Sequence, residues 1–159
     1  MNGSSQKRLC VQAGMTLLEL IIACSILLVL SSAALPIAKY SVIRQKETEL
    51  RRDLREIKDA IDRYKDAADR NQIRVEIGSE GYPPDLETLV KGVQLGAGSD
   101  RKIRFLRKIP VDPMTGRAEW GLRAVQDDPD STSWGGKNVF DVYSKSTGTA
   151  LDGTKYSDW

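Results

Sequence analysis

The sequence predicts an α+β fold, with a long N-terminal helix packed on a small antiparallel sheet. Three observations carry this expectation. Apolar residues run almost without interruption from Met15 and then recur at helical spacing to about Asn71. Two short apolar segments, Trp120–Val125 and Asn138–Tyr143, have the composition of strands. Turn-forming Gly, Pro and Asp residues fill most of what lies between and around them.

Residues 1–14 (MNGSSQKRLCVQAG) are polar, with Lys7 and Arg8 as their only charges. The next 24 residues, Met15 to Ala38, are apolar except for a few small polar side chains and one carboxylate, Glu19. About 20 such residues suffice to cross a bilayer as a helix. The basic pair before the run predicts a cytoplasmic N-terminus, with the C-terminal bulk on the other side. An ionisable group in hydrocarbon costs roughly 2.5–3.5 kcal/mol on insertion scales, so Glu19 is read as functional and needs a partner. A conventional signal cleaved after the small residues Ser31–Ala34 would discard the run and leave Glu19 unexplained. Cleavage after Gly14 would instead retain the helix and create an α-amine on Met15. With a pKa of about 8 in water, that amine would supply the cation, most usefully to the Glu19 of a neighbouring subunit.

Beyond Pro36 the chain becomes charged but stays helical in pattern. Pro36 lacks an N–H and is expected to kink or loosen the helix. Leu50, Leu54, Ile57, Ile61, Tyr64 and Ala68 form an apolar stripe expected to pack on the protein's own sheet. Glu47 with Arg51, Arg52 with Glu56, and Asp59 with Arg63 are opposite charges four apart, each expected to add a few tenths of a kcal/mol. A continuous helix from Met15 to Asn71 would be about 85 Å long.

In the remaining head, Gly78–Pro84 reads as a loop and Asp85–Lys91 as a short helix, with Asp85 near its start and Gly92 as its stop. Gly92–Asp100 is expected to be a loop, Ile103–Ile109 an extended edge, and Pro110–Gly116 a turn. Leu122, Val139 and Val142 are the expected apolar partners of the two strands, with the polar connection Asp127–Gly136 between them.

Composition narrows the functional classes. The net charge of +2 belongs to Lys7 and Arg8, and without them 22 basic side chains face 22 acidic ones. This balance argues against a nucleic-acid binder. The chain has no histidine, and Cys10 and Cys24 are its only thiols. It also lacks a Gly-rich phosphate loop. No motif supports an enzyme.

At Gly14, Met15, Thr16, Leu17, Leu18, Glu19 and Leu20 the chain resembles the type IV pilin and type II secretion pseudopilin superfamily. Met15 stands where phenylalanine is commoner, and Pro36 falls where members often carry a proline. The resemblance implies a prepilin leader (1–14), a transmembrane and assembly helix (15–40) and an extracytoplasmic pilin-like head (41–159). It also implies cleavage between Gly14 and Met15 by a prepilin peptidase, N-methylation of Met15, and a homo-oligomeric helical filament in which Glu19 directs assembly. An inner-membrane assembly platform and minor pseudopilins would be further partners. The protein would lie in a bacterial inner membrane with its head in the periplasm.

Many type IV pilins close their C-terminal region with a disulfide, whereas major pseudopilins usually do not, and no cysteine follows Cys24. Tyr82-Pro83-Pro84, Ile109-Pro110-Val111-Asp112-Pro113, Phe140-Asp141-Val142-Tyr143-Ser144 and Tyr156-Ser157-Asp158-Trp159 all look like the major pseudopilin of type II secretion. The resemblance therefore implies a pseudopilus subunit. A surface type IV pilin for adhesion or motility and a monomeric membrane-anchored binding domain are the alternatives. Major pseudopilins bind calcium in a C-terminal loop, which here would draw on Asp152 and Asp158. Thr147 stands where the family often has the first acid, and Asp152-Gly153 reads equally as an ordinary turn.

Overall fold

The computed structural model describes residues 16–96 and 101–159, except for the side chains of 33–38. Helix α1 (Leu17–Asp69) is followed by α2 (Leu86–Lys91) and strands β1 (Val93–Gln94), β2 (Lys102–Ile103), β3 (Trp120–Arg123) and β4 (Asp141–Ser144). A single 3-10 turn (Tyr156–Asp158) comes last. This is the expected α+β, pilin-like arrangement, with two small sheets in place of one. The chain divides into two units, Met1–Ser41 and Val42–Trp159.

In the first unit, α1 begins at Leu17 and includes Pro36 in its helical backbone. Among the described residues no helix is long and apolar enough to cross a membrane. The described apolar side chains extend from Leu17 to Leu30; Met15 and the side chains of 33–38, which complete the predicted span, lie outside the described residues.

In the second unit, the stripe folds as its spacing predicts. Leu50, Ile57 and Ile61 are fully buried, and Leu54, Tyr64 and Ala68 nearly so. They join Leu89, Phe105, Leu106, Trp120, Val139 and Val142 in one core. The helix ends where Asn71 turns left-handed (φ 54°). The Asn71 N–H donates to the Ala68 carbonyl and the Gln72 N–H to Ala67, a Schellman closure that satisfies two terminal carbonyls.

The charge pairs expected along α1 do not form. Arg52 reaches Glu49 and Asp53 instead of Glu56. Arg63 donates to the Phe105 carbonyl at 2.8 Å rather than to Asp59. Glu47 and Arg51 both turn to the C-terminal loop. A solvated i,i+4 pair contributes too little to hold a side chain that can reach a backbone group or ring elsewhere in the fold.

Asp85 caps α2 by accepting the Thr88 N–H and hydroxyl, and Gly92 closes it at φ 77°. A Cβ on Gly92 would lie 2.5 Å from the Ile103 carbonyl oxygen. Glycine thus permits β1 to pair with β2, with Val93 opposite Ile103. Strand character is consequently found within the expected Gly92–Asp100 loop, of which residues 97–100 lie outside the described residues. The expected edge at 103–109 contracts to Lys102–Ile103, because the Phe105 and Leu106 N–H groups bend toward the Leu89 carbonyl.

Strands β3 and β4 are antiparallel, with Leu122 opposite Val142 and Gly121 opposite Tyr143. They are shorter than expected. Past Arg123, buried Asn138 accepts the Val125 N–H with its side-chain oxygen, and the Val139 N–H leaves the ladder for the Pro83 carbonyl. The Tyr143 ring lies over Gly121, where an added Cβ would sit 2.2 Å from its Cζ. Gly121→Ala is therefore expected to displace that ring from beneath the Arg123 guanidinium, 4.3 Å away. The overpacking should cost about 1–3 kcal/mol in denaturant unfolding. An unchanged midpoint would show that the ring has room to move.

Candidate processing and assembly site

The N-terminus of α1 is built by Thr16. Its Oγ1 accepts the Glu19 N–H at 3.2 Å, satisfying one of the free donors of the first turn. Thr16-Leu17-Leu18-Glu19 has the T-x-x-E spacing of a capping box, a signal present in the sequence that the motif reading passes over. Glu19 occupies the first turn, exposed, where a carboxylate also interacts favourably with the helix dipole. That effect is worth only about 0.3–1 kcal/mol, below the cost of placing the acid in hydrocarbon.

Apolar surface surrounds the helix from there onward. Leu17, Leu18, Ile22, Ile26, Leu28 and Leu30 are each at least half exposed, as are most of their large neighbours. Two of the three serines here, Ser25 and Ser32, do not interrupt this surface. Ser25 Oγ donates to the Ile21 carbonyl at 2.7 Å and Ser32 Oγ to Val29 at 2.8 Å, hiding both hydroxyl donors in the helix's own backbone. A helix apolar on all sides needs lipid or other apolar helices around it.

A family model described as the prokaryotic N-terminal methylation motif matches residues 10–35. The chain carries that motif. Comparison with curated proteins and with solved structures returns no match. The methylation motif is the leader signature of type IV pilin-like and pseudopilin proteins, which are structural rather than catalytic. It implies processing by a prepilin peptidase, a membrane-anchored pilin-type protein and assembly into filaments. The matched region includes the Gly14–Met15 bond, the Thr16 cap and Glu19, and it ends one residue before Pro36. Gly14 and Met15 lie outside the described residues, as does the side chain of Pro36, so the structure reports on this site through Thr16 and Glu19.

The second sequence-predicted site, Asp152 with Asp158, lies on the C-terminal loop. Gly153 (φ 88°) makes a turn there, with its N–H on the Ala150 carbonyl. Asp152 Oδ1 accepts both the hydroxyl and the N–H of Thr154, and its Oδ2 faces the Arg51 guanidinium at 3.4 Å. Asp158 instead accepts the Ser157 hydroxyl. Calcium takes six to eight oxygens. Among the described residues no three acidic, histidine or cysteine side chains gather to offer such a set. As arranged, the loop does not fit the ion, because Arg51 already supplies the cation facing Asp152.

What secures this loop is a latch between the C-terminal segment and α1. Glu47 Oε1 accepts the Leu151 N–H at 2.8 Å and the Tyr156 hydroxyl at 3.1 Å. One turn along α1, Arg51 stacks 3.9 Å from the centre of the Trp159 ring. Trp159 meets Tyr156 edge-on at 5.2 Å and donates its indole N–H to Thr154. Burial and the Glu47 carboxylate push the Tyr156 phenol up, and the bonds from Thr154 hold Asp152 below the usual carboxylate range, with Arg51 adding to the effect. An acid whose folded pKa is depressed contributes stability above its unfolded pKa, about 3.9, and loses it as pH falls through the folded value. The Trp159 indole resonance should thus stay constant between about pH 5 and 8, shift on further acidification, and not respond to calcium. A calcium-dependent shift would show that the ion displaces Arg51.

Proposed function

We propose that this chain is the structural subunit of a pseudopilus, a filament that drives type II protein secretion. The methylation motif supports filament assembly in general, and the choice of pseudopilus rests on the head. Its supporting observation is that the head has no cysteine and fastens its C-terminal loop through Glu47, Arg51, Tyr156 and Trp159, without a disulfide. The head segments that look like the major pseudopilin point the same way.

In this reading the peptidase hydrolyses the Gly14–Met15 amide, releasing the leader and leaving a free amine on Met15 that is then methylated. The apolar helix anchors the subunit in the inner membrane until it passes into a bundle of identical helices. There the methylated amine, still basic, faces the Glu19 of a neighbour. The two charges neutralise each other in a medium where either alone would be costly. The pair also sets the axial register between subunits.

A deletion strain tests the assignment. Loss of an exported enzyme from the medium is expected, with normal surface fibres and twitching. Loss of fibres with intact export would identify a surface type IV pilin. If mature protein in membranes gave no homotypic crosslinks, it would be a monomeric anchored domain.

A further inference from the structure

The segment 101–108 (RKIRFLRK) carries five basic side chains and no acid. Its backbone is fastened down. The Phe105 and Leu106 N–H groups both reach the Leu89 carbonyl, both side chains are buried, and Arg63 of α1 holds the Phe105 carbonyl. The charged side chains therefore project from an anchored strip. Together with α1 they line a groove of about 640 Å³, where Arg55, Arg63, Arg104 and Arg107 outnumber Glu56 and Asp59. Arg55, Arg104 and Arg107 have no hydrogen-bond or ion-pair partner among the described residues.

The complementary charge lies on the β3–β4 connection. Residues 125–136 contain three acids and no base. This loop is also preformed. Asp127 accepts the Ala124 and Gly135 N–H groups, and Arg123 holds the Ser131 carbonyl. Asp128 and Asp130 are left exposed at the bend, with side chains that have no partner among the described residues.

We propose that the Arg104–Arg107 groove of one copy receives the Asp128–Asp130 loop of a second copy. Guanidinium groups bind carboxylates in paired, directional hydrogen bonds, which gives such a contact specificity as well as strength. The charge balance favours this occupant. The mature chain is neutral overall, so its basic strip is offset by acids elsewhere on the same chain, whereas a binder of nucleic acid or anionic lipid carries a net positive field. Because the two surfaces differ, the contact is heterologous and propagates from copy to copy. This rests on the assembly reading and adds to it a side-chain interface between heads.

The test uses the full chain, co-expressed with a prepilin peptidase, in a Cys24→Ser background that frees the mature protein of thiols. Arg107→Cys combined with Asp130→Cys should give a ladder of disulfide-linked multimers in membranes, and neither single variant should give more than a dimer. In a thiol-free chain, the pair Arg104→Glu and Arg107→Glu should lower the yield of amine-crosslinked multimers about tenfold. Mixing that chain with one carrying Asp128→Lys and Asp130→Lys should restore it. In 1 M salt, where the screening length falls to about 3 Å, the wild-type yield should also drop. All four positions are exposed, and unchanged melting of the variants confirms that their fold is intact. Amine-crosslinked multimers without the 107–130 disulfide would overturn the interface and leave assembly standing. No multimers by either reagent would overturn both. Salt-sensitive binding to duplex DNA or anionic vesicles, lost in the double-glutamate variant while filaments persist, would assign the groove to that ligand and overturn the proposal.

Discussion

Glu19→Leu is expected to abolish filament assembly while leaving the protein in the membrane fraction. Within the isolated helix, Glu19 interacts only with the first turn, where Thr16 caps its N–H. Losing the carboxylate there should cost about 0.3–1 kcal/mol. Inserting leucine into the apolar run is favourable, so anchoring should be unchanged or stronger. A large assembly defect with so small a local effect would place the acid's role between subunits. Glu19→Gln sharpens the test because it keeps a hydrogen-bonding side chain and removes only the charge. It should fail nearly as badly, with filament yield down by about tenfold or more, as expected for a lost charge-assisted contact in a low-dielectric bundle. Wild-type filament yield from Glu19→Ala, which keeps the backbone N–H that Thr16 caps, would show that the carboxylate is dispensable.

The second large effect is expected in the head. Asp112 is fully buried in the turn before β3. Its Oδ1 accepts the Met114 N–H at 2.7 Å and its Oδ2 the Ser144 hydroxyl at 2.7 Å, tying the turn to β4. Its backbone N–H pairs with the Arg117 carbonyl. Among the described residues no buried side-chain polar atom lacks a partner, the Asp112 carboxylate included. Asp112→Ala strands the buried Ser144 hydroxyl and the half-buried Met114 N–H, at about 1–3 kcal/mol for a fully buried group. Chemical denaturation of the head should register a loss of about 3 kcal/mol or more. Asp112→Asn should cost less, since the amide oxygen can still accept from Met114 and the Ser144 hydroxyl can turn to accept from the amide. A loss below about 1 kcal/mol for Asp112→Ala would mean that water enters the turn.

The contrast between these sites reflects what a sequence can encode locally. The stripe from Leu50 to Ala68 is legible because burial on one helix face imposes a period, and each of its six residues is buried. The α2 cap is legible for the same reason: Asp85 and Thr88 meet across one turn. The N-terminal motif is legible because its chemistry is confined to seven consecutive positions. Thr16 satisfied a local rule as well, but its T-x-x-E spacing coincides with the motif that first explains Glu19.

What escaped sequence reading depended on residues distant in the chain. Arg51, Arg52 and Arg63 each have an acid four positions away, and each bonds elsewhere because a better partner arrives from the head or the adjacent turn. The strands end early for a similar reason. Side-chain and backbone groups of Asn138, Val139 and Leu89 draw the chain out of the ladder. The groove at Arg104 and Arg107 was hidden because its two walls come from α1 and the 101–108 strip, neither of which is a binding motif alone.

The latch on Glu47 and Arg51 joins residues 101 to 109 positions apart, which gives it a place in time as well as in space. The helix that carries these two side chains propagates on the scale of nanoseconds per residue. Closing a loop of more than a hundred residues must instead overcome an entropy that grows with the logarithm of its length. Glu47 and Arg51 are therefore in position early, and the Tyr156–Trp159 segment reaches them only after the core between has condensed. The last contact to form would also be the first to open in native-state hydrogen exchange, so fraying at Trp159 would report on the head before its core loosens.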